Sequence, residues 1–142
     1  MHPVTQELVQ ELDILFGLYQ LVLEVTCTVT QGPKAEGAAV ITCLDSRQRL
    51  MTRIKNATDK SVRLSRLFVT NNQILTNEKE LVAEKKRMVQ DAWNQVQKTE
   101  QVLMQRLTSH LQGMRSEMID VNKKSRATEA YIQAPRTLAF VA

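Results

Sequence analysis

Leu8, Leu12, Leu15, Tyr19, Val22, Thr26 and Val29 are separated by four, three, four, three, four and three residues. That spacing is a heptad seam, which lines one side of an α-helix. A second row, Ile14, Leu18, Leu21 and Val25, repeats the spacing on another side. Two apolar faces predict a helix held between two neighbours; a binding surface on the second face is the alternative. This first helix is expected over about 5–31, with Thr5 as its cap and Glu7 in its first turn, where the helix dipole favours an acid. Val25–Thr30 is β-branched apart from Cys27, so that end is expected to fray. Gly32-Pro33-Lys34-Ala35-Glu36-Gly37 is the clearest turn in the chain and predicts an antiparallel neighbour.

Residues 38–112 contain no glycine and no proline. The second helix is expected over about 38–69, with Ile41, Leu44, Met51, Ile54, Val62, Leu64 and Phe68 as its apolar side. The pattern slips at Asn56-Ala57-Thr58-Asp59, where a kink or break is the alternative. Thr70-x-x-Gln73 and Asn77-x-x-Glu80 both read as capping boxes around the poor helix formers Thr70-Asn71-Asn72. The second turn is therefore placed in 70–77; the rival is an unbroken helix that dimerises.

The third helix is expected over about 72–132, followed by a tail, 133–142, that leaves the helix before Pro135. Leu75, Val82, Val89, Val96 and Leu103 recur every seventh residue, with Ile74, Leu81, Met88 and Val102 one position earlier. The intervening Glu78, Lys85, Ala92 and Thr99 do not suit a strict two-stranded seam. They fit one thin stripe docked on a two-helix hairpin, with Trp93 at the core or its rim. Beyond it, Met104, Leu107, Leu111, Met114, Met118 and Val121 form the best row of the second half. Half of that row is methionine, whose flexible thioether suits surfaces that accept several shapes. It reads as a ridge or groove for a partner helix; core, a bend back at Gly113, or self-pairing are the alternatives. The fold class is all-α: an elongated antiparallel three-helix bundle or coiled coil with a long C-terminal helix, as one domain over 1–142.

Composition fits that class, with 4% aromatic and 24% charged residues. Charge is segregated. Residues 1–45 carry one lysine against six acids, a net −5, and the remainder carries 18 bases against nine acids, a net +9. Arg47, Arg49, Arg53, Lys55, Lys60, Arg63 and Arg66 have only Asp59 among them. An acidic first helix beside a basic second one accounts for this simply; nucleic acid or an anionic surface is the sharper reading. The absence of interleaved aromatics argues against nucleic acid. The apolar run Ile14–Val25 is short for a bilayer, which needs about 20 residues, so no membrane span is expected. Two cysteines, Cys27 and Cys43, make no disulfide framework and read as buried thiols of a cytoplasmic protein.

The chain shows no Walker GxxxxGK[ST], GxGxxG or GxSxG motif, and His2 and His110 have no partners at catalytic or metal-binding spacing. Asn56-Ala57-Thr58 matches a glycosylation sequon that a cytoplasmic setting makes empty. No enzyme, cofactor, metal or small-molecule site is expected.

Several segments together resemble the flagellar type III export chaperones of the FlgN and FliT class. They are the leucine-rich start Glu7-Leu8-Val9-Gln10-Glu11-Leu12, the arginine-rich run Leu44–Ile54 with its aliphatics, Asn72-Gln73-Ile74-Leu75, and Tyr131 near the helix end. The Met-rich row beyond Leu103 departs from that pattern. The resemblance implies a non-catalytic cytoplasmic chaperone. Its client would be the C-terminal amphipathic helix of hook–filament junction proteins, kept unpolymerised and passed to the export apparatus. It places client binding on Met104, Leu107, Leu111, Met114, Met118, Val121 and Tyr131. The rival from another class is a structural coiled-coil subunit, a homodimer through the same seam.

Overall fold

The computed structural model describes the backbone of residues 1–30 and 37–141, and the side chains of 1–30 and 38–128. It contains three helices: α1 (Pro3–Thr30), α2 (Gly37–Thr70) and α3 (Thr76–Val141), with no strand among the described residues. The second turn falls at 71–75, inside the expected window, and α2 passes through 56–59 without a break. The Gly32–Glu36 part of the first turn lies outside the described residues. The chain divides into two compact units, Met1–Met104 and Gln105–Ala142.

Unit 1 is a three-helix bundle. The α1 row Leu8, Leu12, Leu15, Tyr19, Val22, Thr26 and Val29 is buried throughout, and burial of each large apolar side chain contributes about 1.5–3 kcal/mol. Leu8, Leu12, Leu64, Phe68, Ile74 and Val82 form one cluster, and Leu15, Leu18, Tyr19, Val22, Ile54, Ala57, Ala92 and Val96 another. The second α1 row is split: Leu18 is buried, whereas Ile14 and Leu21 are exposed. Tyr19, Thr58 and Trp93 bring the three helices together. The Tyr19 and Trp93 rings lie 5.5 Å apart. Burial pushes the Tyr19 hydroxyl's pKa up, and its hydrogen bond with Thr58 opposes that shift.

Two expected faces are corrected. On α2, Ile41 and Val62 are exposed, and the inward row is Val40, Cys43, Arg47, Leu50, Ile54, Ala57, Ser61, Leu64 and Phe68. This row keeps strict three–four spacing but carries an arginine and a serine. On α3 Leu75 is exposed, and Glu78 and Ala92 are buried beside Val82, Val96 and Leu103. Two positions judged poor for a seam therefore face inward, and the charged members Glu78 and Lys85 find partners at His2 and Asp13, before and on α1.

Those partners set the register. Arg47 Nη1 donates to Thr26 Oγ1 at 2.6 Å, and the Thr26 hydroxyl donates to the Val22 carbonyl at 2.7 Å. Arg47 also lies 3.6 Å from Glu100 on α3. Lys60 pairs with Glu11 at 2.9 Å and Lys85 with Asp13 at 2.8 Å. Partly exposed pairs of this kind are worth about 0–1 kcal/mol each, so they fix alignment more than stability. They place α1 antiparallel to α2 and parallel to α3. The start of α1 also differs from expectation. The helix begins at Pro3, so Thr5 is no cap and Glu7 lies beyond the first turn. Glu78 supplies the cap instead. One carboxylate oxygen accepts the Leu75 amide at 3.0 Å and the other accepts the His2 amide at 2.7 Å. One side chain thus caps α3 and ties the start of α1 to it. Those two amides, Leu75's first, hold the Glu78 carboxyl below its ordinary pKa.

In unit 2 the helix runs through Gly113 without positive φ, so no bend forms there. It continues to Val141, past the exit expected before Pro135. An interior proline costs a helix about 3 kcal/mol, through one lost hydrogen bond and crowding of the carbonyl one turn earlier.

Candidate helix-binding surface

Unit 2 presents the Met-rich row to solvent. Leu111 is 50% exposed, Met114 47%, Met118 65% and Val121 63%, and Leu107 is half-buried. Met104, the last residue of unit 1, is half exposed. At 100° per residue these six side chains span about 100° of the helix surface, a width suited to one partner helix. The side chain of Tyr131 lies outside the described residues. Ile119, 54% exposed, was missed by the sequence reading because it sits about 100° from the centre of the row. Around the row the 105–128 segment carries Arg106, Arg115, Lys123, Lys124 and Arg126 against Glu117 and Asp120.

The second candidate surface is the basic side of α2. Arg47 leaves it, because its side chain is buried against Thr26. Arg49, Arg53, Lys55, Lys60, Arg63 and Arg66 are exposed. Arg49 pairs within its own helix with Asp45 at 3.1 Å, and Lys60 pairs with Glu11. Among the described residues, that Lys60–Glu11 bridge is the sole ion pair between an α1 acid and an α2 base. Of the described acids in residues 1–45, Glu11, Asp13 and Asp45 pair with bases of the remainder, and Glu7 and Glu24 do not.

The remaining candidates carry no assembled chemistry. Cys27 and Cys43 are free thiols, half-buried and buried. Cys43 Sγ lies 3.5 Å from the Val25 carbonyl, and burial raises the thiol's pKa, with the positive charge of Arg47 opposing. The described residues contain no group of three or more His, Cys, Asp or Glu able to hold a metal ion. His2 is structural: its Nδ1 accepts the Val4 amide at 3.1 Å, and its Nε2 lies 3.0 Å from the Asn71 side chain. An open depression along α2 is lined by Val62, Ser65, Arg66, Val69 and Thr70.

By length and composition α1 is apolar enough to cross a membrane, with a mean hydropathy of 1.5 over its best window. The shorter expectation came from counting only the run Ile14–Val25, itself interrupted by Gly17, Gln20 and Glu24. In the bundle α1's apolar row is the core of unit 1, which meets the same compositional test as a membrane span. No family model, curated protein or solved structure matches this chain.

Proposed function

We propose that this chain is a non-catalytic, cytoplasmic helix-binding protein, acting as an export chaperone of the FlgN and FliT type. Its 105–128 segment receives the amphipathic C-terminal helix of a hook–filament junction protein. The supporting observation is the exposed row Leu111, Met114, Met118 and Val121, a heptad stripe with no covering neighbour among the described residues. Burial of such a stripe releases about 25 cal/mol per Å² of apolar surface, and it supplies the driving force for a client segment that is disordered when free and folds on docking. Methionines let one row accept related clients whose apolar residues differ in shape. While the client's helix lies in the row, it is unavailable for polymerisation.

The test uses the full chain and a peptide covering the last helix of a hook–filament junction protein. Leu111→Asp combined with Met118→Asp abolishes peptide capture in a calorimetric titration, while circular dichroism keeps the helical signal. Loss of helix and of cooperative unfolding in that variant would assign the row to a core and end the proposal. A second reading, self-pairing through the same row, predicts a wild-type dimer that this variant turns into a monomer.

A further inference from the structure

We infer that a second copy of this chain docks on the α1–α2 side of unit 1, each acidic α1 lying over the basic α2 of the other. Glu7, Ile14 and Leu21 fall within about 40° of one another on α1, and all three are exposed. On α2, Arg53, Lys60, Arg63 and Leu67 fall within about 80° of one another, and all four are exposed. Both rows flank the same groove, because the Glu11–Lys60 bridge crosses between them. One wall of that groove is acidic and apolar; the other is basic and apolar. Neither Glu7 nor Glu24 has an ion-pair partner among the described residues, and neither has Arg53 nor Arg63. Lys60 is spent on Glu11, but Glu7 on one wall, Arg53 and Arg63 on the other, and Glu24 about 80° round α1 from its row are left unpaired.

A two-fold axis running along the helices satisfies both rows at once. It carries α1 of one copy over α2 of the other and preserves height along the bundle. Because α1 and α2 are antiparallel, the new contact is antiparallel as well. Height then selects the pairs. Leu8 and Leu12 share a cluster with Leu64 and Phe68, so Glu7 sits level with Arg63 and Leu67. Thr26 is bonded to Arg47, so Glu24 sits level with Arg49, and Arg53 lies one helical turn, about 6 Å, further along. Ile14 and Leu21 lie between these charged ends. Gly17, also exposed, has nothing within 4 Å of where a Cβ would stand, which leaves room for a close helix approach. The interface is isologous and self-complementary, as a two-fold dimer requires. It is rich in charge and poor in apolar area, so salt weakens it.

The charge rows test this directly by sedimentation equilibrium of the full chain. The wild type is dimeric at about 50 mM salt, and its association constant falls at least about tenfold at about 300 mM. Glu7→Lys with Glu24→Lys gives a monomer, and Arg53→Glu with Arg63→Glu gives a second monomer. Mixing the two restores a dimer, because each α1 again faces an opposite charge. The milder Arg53→Gln with Arg63→Gln weakens the dimer in the same direction, which excludes misfolding as the cause. Leu111→Asp with Met118→Asp leaves the dimer intact. A wild type monomeric at low salt overturns the inference. So does a dimer that survives both reversals but not the Leu111 and Met118 changes. Reversal variants that stay monomeric on mixing overturn it too. Binding of a 20-base-pair duplex or of phosphatidylserine vesicles by the Arg53 and Arg63 row would then show its true occupant.

Discussion

The row Leu8–Val29 on α1 and the row Met104–Val121 on α3 obey the same three–four spacing, yet the first is buried at all seven positions and the second is exposed at five of six. Period alone therefore reports that a helix has an apolar face. It does not report what covers that face. The composition of the two rows differs in a way that does. The first is leucine, valine, tyrosine and threonine, shapes that lock against fixed neighbours. The second is half methionine, a side chain that packs against whatever arrives. Unit 1 also carries polar contacts that reach between its helices at Thr26, Glu11 and Asp13, and from His2, just before α1, to α3.

The strongest way to break this contrast is to shorten one leucine in each row. Leu8 has no exposed surface. Leu8→Ala removes about 2–5 kcal/mol of stability, through lost transfer energy and an unfilled cavity. Leu111→Ala changes stability by less than about 0.5 kcal/mol, as an exposed substitution does. Urea unfolding followed by circular dichroism measures both. Equal losses would mean that the Leu111 row is covered in solution, and the two rows would then be the same kind of element.

How far the sequence shows this contrast varies by helix. The α1 seam is legible because every member is apolar or threonine. On α2 the real inward row is hidden by Arg47 and Ser61. Pattern reading moved to Ile41 and Val62, which face solvent, and it counted Arg47 among the surface bases. The Arg47 side chain is inside because Thr26 on α1 and Glu100 on α3 receive its guanidinium. Glu78 was set aside for the same reason, although its carboxylate satisfies two backbone amides at once. Periodicity in one helix carries no information about a hydrogen-bond partner on another. The Met-rich row was legible as a row, but its exposure depends on which neighbours reach it, and that is a tertiary fact.

Glu78 offers a second way to sharpen the contrast, because it belongs to unit 1 alone. Its carboxyl is held below the ordinary pKa by the Leu75 and His2 amides. A depressed carboxylate adds stability that is fully present above its unfolded pKa, about 4.3, and is lost as pH falls through the lower folded value. Cooperative unfolding of the bundle should therefore weaken as acid protonates Glu78. Glu78→Gln lowers stability at neutral pH and flattens the dependence below about pH 4.3. Urea midpoints from neutral pH down to about pH 3 read both effects. A wild-type profile that keeps its acid slope in Glu78→Gln would assign that slope to other carboxylates.

Ser61 gives a small effect and the finest test of what the buried rows tolerate. Its hydroxyl is buried and has no hydrogen-bond partner, yet it occupies an inward position of α2 between Ala57 and Leu64. A buried hydroxyl without a partner loses its hydration and gains nothing in return. Alanine keeps the same backbone and Cβ, removes the unsatisfied oxygen, and has the better helix propensity. Ser61→Ala should therefore stabilise unit 1 by about 1 kcal/mol, visible as a higher urea midpoint with an unchanged slope. A lower midpoint would show that the hydroxyl has a partner in solution, a water molecule or the backbone carbonyl one turn earlier. The α2 row would then resemble the Thr26–Arg47 layer, where polar atoms sit inside because they are bonded. A higher midpoint would show that unit 1 has packing to spare and tolerates an unpaired hydroxyl that one substitution removes.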